Sequence, residues 1–536
     1  MKRVLYAIAT ISTIAALASR ANAADRVVAS SGAASQPRLV VGIVVDRLRT
    51  DHIEELQAYF GEMGFRTLLE QGAYLRDIDF KVADIDATTA TAMLQTGAYP
   101  SQTGVPSGMI IDPENPSASA RPVLAAQGTP LTNDSFTPEA LRLTTLSDEI
   151  AVGRHGETTI YSVAMDPQQA ILLAGHAGTG AIWLNNTTGN WATTNYYGAL
   201  PTTVGNRNFR NSVSAKIDTM QWRPLAETVR ATGIYDAKKQ FRYQFSHSDR
   251  DVYKKFASSA LANSEITDVA IDLLKQLPAS GQGTDVINLA YSVAPYRYSV
   301  DGGEAEATDS YIRLDRQLGR LFDAIDRYVG AGNAVIWLTG TGHNDEAVLE
   351  EKRYRLPGGE FSVKRARSLL NSYLSARHGA AGYVEAIRDR NVYFNRKALE
   401  ERRLDPTAVI ADARNFLTKM SGVADALTLD DILSPTTDET RALRLATDPR
   451  FSGDILLEYV PGWHVVDDEQ YPPVTKSYRL APALTPAFII APGVSAQKID
   501  TPVNATALAP TVAGILRIRS PNGTRDKALP IQKSKF

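Results

Sequence analysis

Leu39-Val40-Val41-Gly42-Ile43-Val44-Val45-Asp46 is an unbroken run of seven apolar or small residues, mostly β-branched, that stops on a carboxylate. A run this short and continuous reads as a strand buried on both faces, as in a parallel sheet. Gly42 leaves room for a covering helix to come close. In open α/β sheets ligands gather beyond the carboxyl ends of the strands. Asp46 is therefore a candidate metal ligand or base, and equally a cap for the helical pattern that opens at Asp51-His52-Ile53.

With 536 residues the chain can bury a large core. A net charge of −2 gives it no basic footprint, so nucleic acid is not an expected partner. Residues 1–23 read as a secretory signal: Lys2 and Arg3 are the basic start, Val4 to Ala18 the apolar stretch, and Ala21-Asn22-Ala23 the small-residue cleavage site. The mature chain is expected to be periplasmic or secreted, with no transmembrane segment. Cysteine is absent, which excludes disulfides, thiolate metal sites and lipid anchoring through a Cys. Any metal site must draw on Asp, Glu and only seven His.

Beyond the first strand the pattern alternates. Residues 24–37 are small and polar and read as a flexible lead-in. Tyr74 to Val82 reads as a strand, and Ala87-Thr88-Thr89-Ala90-Thr91-Ala92-Met93-Leu94-Gln95-Thr96-Gly97 as a small-residue helix. Asn186-Thr187-Thr188-Gly189 is a hairpin turn signal. Asp285 to Val293 and Ala334 to Thr339 read as strands on either side of the clearest helix, Thr308 to Val329, whose Tyr311, Leu314, Leu318, Leu321, Phe322, Ile325 and Val329 share one face. This alternation predicts an α/β fold with a doubly wound, mainly parallel sheet flanked by helices. The charged stretch Glu346 to Leu433, helical in pattern and without sheet-type runs beyond Val392-Tyr393-Phe394, reads as an insertion or cap. The expected layout is one domain over 38–525 with an insertion at about 345–450 and a tail at 526–536.

Several stretches together carry a resemblance. They are Val41-Gly42-Ile43-Val44-Val45-Asp46-Arg47, Gly64-Phe65 through Leu68-Leu69, Thr96-Gly97 with Pro100 and Gly104, Ala174-Gly175-His176-Ala177, Tyr311 through Leu314-Asp315, and Ala505-Thr506-Ala507-Leu508-Ala509-Pro510-Thr511. In order and spacing the chain resembles the alkaline phosphatase superfamily, in the branch of phosphate-irrepressible periplasmic phosphatases and type I phosphodiesterases. The resemblance implies two zinc ions that polarise a phosphoryl group and activate a Thr or Ser nucleophile, each held by three His or carboxylate ligands.

Position by position, the resemblance implies a dismantled site. The first ligand position is kept as Asp46, and the nucleophile position holds Ala87. The other ligand positions fall on Ala294, Tyr298, Thr341, Gly342 and Leu484, and the phosphate-gripping positions on Gly108, Met165 and Pro167. One carboxylate cannot hold zinc, and Ala offers no nucleophilic atom. Met and Pro donate no charged hydrogen bonds to a phosphoryl group. The expectation is a catalytically inactive relative with no cofactor, in a binding or accessory role toward a protein, peptide or glycan partner, with Trp191, Tyr196, Tyr197 and Trp463 as surface candidates. Asp46 is expected to be solvated or paired with Arg47, Arg49 or a backbone N–H.

The alternative is a metal-dependent phosphomonoesterase or phosphodiesterase with a rearranged site, in which Thr88 or Thr89 is a displaced nucleophile. The histidines offer it little. His343 follows Gly342 without a preceding carboxylate, Asp51-His52 reads as a solvated helix end, and His176 reads as a packing residue. For a metal-free hydrolase, Gly-x-Ser-x-Gly is absent and no Ser–His–Asp order stands out.

Overall fold

The strand Leu39–Asp46 (β1) lies in the middle of the molecule, hydrogen-bonded in parallel to a strand on each side. The computed structural model describes residues 36–532 apart from 83–84, 278–282, 300–302, 343–357, 470–473 and 478–483. The signal at 1–23, nearly all of the lead-in, and His343 lie outside the described residues. Eight further strands join β1 in one sheet: β2 (Ala73–Leu75), β3 (Ile160–Ala164), β4 (Gly180–Leu184), β5 (Trp191–Ala192), β6 (Asp285–Ser292), β7 (Ala334–Gly340), β8 (Ala487–Ile490) and β9 (Gln497–Ile499). Their order is β9-β2-β8-β7-β1-β6-β3-β4-β5. Five of the neighbouring pairs are parallel; β8 runs against both its neighbours, and β5 closes a hairpin with β4. The sheet is thus mainly parallel.

The alternation of β1 splits the core in two. Leu39, Val41, Ile43 and Val45 pack on one face with the helices Leu261–Leu274 and Glu304–Tyr328. Val40 and Val44 pack on the other with Ala87–Thr96, Leu146–Gly153, Pro167–Ala174 and Leu508–Leu516. Helices on both faces are what a doubly wound sheet requires. No helix among the described residues is long and apolar enough to cross a membrane.

Gly42 has a different reason from the one expected. It admits side chains of the neighbouring strands rather than a helix: a Cβ there would lie 2.2 Å from Asn288 Oδ1 and 2.7 Å from the Trp337 ring. Both residues stand level with Gly42 in the sheet. Asn288 cannot give way freely, because its Nδ2 donates to Ser147 Oγ at 2.9 Å and to the Leu173 carbonyl at 2.7 Å.

Two boundaries differ from the sequence reading. The inserted region contains more strand than its charge suggested: Val384–Arg388, Asn391–Phe394, Ile455–Tyr459 and Val423–Thr428 form a four-stranded sheet, and Gly359–Ser362, Trp463–Asp467 and Val474–Ser477 a three-stranded one. These strands run on to Ser477, beyond the expected end at about 450, because Ile455–Tyr459 pairs with strands on both sides of it. Their charged residues mask the strand pattern by pointing outward, while Val384, Ile387, Val392, Ile455 and Leu457 enter a separate core. The stretch assigned to a tail is docked as far as Gln532. The Leu529 N–H donates to Thr511 Oγ1, and Leu529 and Ile531 pack on the core.

The Ala174-Gly175-His176-Ala177 loop is fixed electrostatically. Asp148 accepts from the Thr145 and Ala177 N–H groups and meets His176 Nδ1 at 3.0 Å, while His176 Nε2 lies 3.1 Å from the Leu141 carbonyl. The Asp148 hydrogen bond, against the opposing effect of burial, raises the His176 pKa above its ordinary value. Burial works to raise Asp148, but His176 and the two N–H groups outweigh it and hold its carboxyl below the usual range.

Two predictions follow from this packing. Gly42→Ala should lower unfolding stability by about 1–3 kcal/mol, read as a shift of the denaturant midpoint; an unchanged midpoint would show that Asn288 and Trp337 can yield. Because the folded-state pKa of His176 is raised, its stabilisation is complete below the unfolded imidazole value of about 6.5 and is lost as pH rises through the folded value. The melting-temperature gap between wild type and His176→Gln should therefore narrow as the solution is made alkaline.

Candidate functional site

The carboxyl ends of β1, β3, β6 and β7 point the same way, so the residues just past them share one edge of the sheet. Asp46 ends β1, and Thr341 follows β7. Asp46 Oδ1 accepts a hydrogen bond from Thr341 Oγ1 at 3.0 Å, and Thr341 Oγ1 in turn accepts the Arg47 N–H at 3.1 Å. Arg47 Nε stands 3.7 Å from Asp46 Oδ2. Arg47 is thus the charged partner anticipated for Asp46, while Arg49 turns instead to Asp51. The Thr341 hydroxyl was not foreseen as a partner. Thr341 is fully buried, so this small hydroxyl completes the carboxylate's environment from inside the protein.

The neighbouring positions are closed by packing. At Gly342 (φ +67°) a Cβ would lie 2.5 Å from the Phe80 ring, so the ring occupies the direction a larger side chain would take. Tyr298, past the end of β6, is drawn to an aromatic cluster: its ring centroid lies 5.5 Å from Tyr296, and Lys255 Nζ sits 5.3 Å from it. Ala294 presents a methyl, its N–H donating to Ser292 Oγ. Leu484 is exposed, and its carbonyl accepts the Thr50 N–H at 3.0 Å.

The helix Ala87–Thr96 starts at this edge, and its cap matters more than the sequence disclosed. Asp86 is the N-cap: Oδ1 accepts the Thr89 N–H at 2.7 Å, and Oδ2 accepts the Gly108 N–H at 2.6 Å and Ser107 Oγ at 3.1 Å. A Cβ on Gly108 would meet Thr88 Oγ1 at 2.9 Å and Asp86 Oδ2 at 3.4 Å. Thr88 and Asp86 thus fill the space that a side chain at 108 would need. The Thr88 hydroxyl has no hydrogen-bond partner among the described residues.

Met165 and Pro167 flank a second missed carboxylate. Asp166 caps the helix Pro167–Ala174 by accepting the Gln168 and Gln169 N–H groups, and Met165 packs toward the core. Gln168 ties the two caps together, since its Nε2 donates to the Gly108 carbonyl at 2.9 Å. Burial pushes the Asp166 carboxyl above the usual range; the Gln169 and Gln168 N–H groups oppose this, and the negative charges of Asp86 and Asp46 add to it. Asp166 thus feels the charges of Asp46 and Asp86, which places the three carboxylates along one edge. A polar residue before Ala87-Thr88-Thr89 and an Asp before Pro167 are ordinary N-cap signals, which could have placed both acids.

The other expected groups lie apart from this edge or serve packing. His52 lies tilted at 46° against the Tyr311 ring, centroids 5.1 Å apart, rather than standing free at a helix end. His176 is taken up by Asp148. Among the surface aromatics, Trp191 is buried in the core, Trp463 packs on the inserted region, and Tyr197 is half-buried with its hydroxyl on the Gly175 carbonyl. Of the four, Tyr196 is the exposed one. Among the described residues no group of three or more His, Asp or Glu is arranged to hold a metal ion.

A family model described as type I phosphodiesterase / nucleotide pyrophosphatase matches residues 40–482. The chain is 26% identical over 530 residues to the alkaline phosphatase PafA of Elizabethkingia meningoseptica, covering 93% of this chain and 95% of that one. It is 25% identical over 526 residues to the alkaline phosphatase PhoV of Synechococcus elongatus, covering 92% of each. The crystal structure of wild-type PafA superposes with a TM-score of 0.79 at 24% identity, over 93% of this chain and 99% of that one, which establishes a shared fold. The chain belongs to the type I phosphodiesterase / nucleotide pyrophosphatase family, within the alkaline phosphatase superfamily.

Proposed function

We propose that this protein is an exported member of its family that no longer performs two-zinc phosphoryl transfer and acts instead by binding a protein, peptide or glycan. The observation that carries this reading is the Asp46–Thr341 hydrogen bond. The position that should supply a second carboxylate supplies a hydroxyl, and that hydroxyl is spent on the remaining ligand. Two zinc ions do not fit the described residues. One carboxylate stands where six ligands are needed, Phe80 closes the Gly342 side, and Ala87 has no nucleophile.

Charge argues in the same direction. A phosphate ester is an anion and needs cations or N–H donors to hold it. Here Asp46, Asp86 and Asp166 gather at the edge, and the N–H groups at the two helix starts are already occupied by carboxylates. A neutral or cationic group suits that edge better than a phosphoryl group.

A second reading rests on Thr88, whose hydroxyl is unpartnered beside Asp86. In that reading Thr88 replaces Ala87 as nucleophile of a rearranged, metal-dependent phosphoesterase.

One set of measurements separates the two. The mature protein, loaded with zinc and dialysed exhaustively, should retain no stoichiometric zinc and should turn over neither p-nitrophenyl phosphate nor bis-p-nitrophenyl phosphate. Retention of about two zinc per chain with metal-dependent turnover would overturn the binding reading. Loss of that turnover in Thr88→Ala would then establish the rearranged site.

A further inference from the structure

Away from the residues of that edge, the structure brings together three side chains that the sequence scatters over 34 positions, Ser214, Asp218 and His247. Asp218 grips His247 at two points: Oδ1 accepts the His247 backbone N–H at 2.8 Å, and Oδ2 lies 2.6 Å from Nδ1. A carboxylate on Nδ1 takes the ring proton there and leaves Nε2 as the acceptor. Nε2 faces Ser214 Oγ at 3.5 Å, longer than the roughly 2.6–3.2 Å of a working nucleophile and base, so the pair must close by a few tenths of an ångström when substrate binds. The imidazole and the His247 N–H hold the Asp218 carboxyl below its usual pKa, so it stays ionised to orient the ring.

A fourth group completes the arrangement. The Tyr253 hydroxyl lies 2.8 Å from Ser214 Oγ, and its ring is packed and nearly buried. Gly189, at the hairpin turn, seats both partners. Its carbonyl accepts the Ser214 N–H at 3.1 Å, and a Cβ there would lie 2.2 Å from the Tyr253 ring. The Ser214 and Ala215 N–H groups are both occupied, the second by Ser212 Oγ, which leaves the phenol as the hydroxyl beside Oγ; either oxygen can donate in that pair, and Ser214 is free to donate to His247 when the phenol donates to it. Ser214 is half-buried and His247 exposed, which leaves the pair open to a small substrate.

We propose that Ser214, His247 and Asp218 form a serine-hydrolase triad, with Tyr253 as the hydroxyl donor, acting on small carboxylic esters. Ser214 Oγ attacks the ester carbonyl carbon as His247 Nε2 takes the hydroxyl proton. The carbonyl oxygen becomes an oxyanion within reach of the Tyr253 hydroxyl. The ester C–O bond then breaks, and the proton on Nε2 passes to the departing alcohol. Water, deprotonated by His247, attacks the acyl group, releases the carboxylic acid and returns the proton to Ser214. Asp218 is a positioning residue that touches no substrate. This inference does not depend on whether the phosphatase site is active.

The test is covalent. The full chain incubated with a fluorophosphonate should gain one adduct, which peptide mapping places on Ser214. The adduct should be absent in Ser214→Ala and form about a hundredfold more slowly in His247→Ala. Tyr253→Phe keeps the ring against Gly189 and should slow both labelling and p-nitrophenyl acetate hydrolysis about a hundredfold. Matching melting temperatures would establish that each variant is folded. No adduct on Ser214, or an adduct whose rate is the same in His247→Ala, would overturn the proposal.

Discussion

The burial of β1 on both faces is the constraint from which the rest of the structure follows. Leu39, Val40, Val41, Ile43, Val44 and Val45 are all at most 1% exposed, and burying such side chains contributes about 1.5–3 kcal/mol each. Their gross contribution of about 10 kcal/mol or more is comparable to the net stability of a whole domain, about 5–15 kcal/mol. A strand covered on both faces must have a layer of helices on each, and its neighbours must run parallel where helices make the crossovers. Those parallel neighbours carry the ends of β1, β3, β6 and β7 to one edge, and the anionic edge is the result.

Carboxylates do much of the remaining organisation, by accepting hydrogen bonds where backbone or ring N–H groups would be stranded. Asp309 is fully buried yet accepts from Trp222 Nε1, the Leu225 N–H and Thr228 Oγ1, with Arg313 beside it. Asp315 accepts the Gly61 and Phe65 N–H groups and docks the helix Phe65–Gln71 against Glu304–Tyr328. Asp148 does the same for the His176 loop. A buried charge is tolerated when it is saturated in this way. Asp86 and Asp166 follow the same rule as helix caps. Their acceptor capacity is turned toward backbone N–H groups, so the edge is lined by carboxylates without being a ready metal cage.

The sequence made the fold legible wherever burial was continuous or strictly periodic. The strands at 39–46, 285–292 and 334–340 and the helix Glu304–Tyr328 were readable because their partners impose long apolar patterns. The inserted region was less so, since Glu385, Asp425 and Glu458 interrupt its strands and its apolar residues are divided between two small cores, Ala426 entering one and Leu427 the other. Gly42 was readable as a close approach, but the approaching groups were not. Only the sheet register sets Asn288 and Trp337 beside it.

The candidate site divides along the same line. The sequence by itself determined which chemical groups are available: a lone Asp46, a methyl at Ala87, no cysteine and few histidines. Tertiary structure alone decided what those groups meet, because contacts between residues 295 positions apart, such as Asp46 with Thr341, depend on strand order rather than on local pattern. It set Phe80 against Gly342, gathered Asp86 and Asp166 with Asp46, and closed Ser214, Asp218 and His247 into a relay. Local sequence fixes the chemistry a side chain can perform, while the long-range packing that satisfies the core fixes which side chains are near enough to act together.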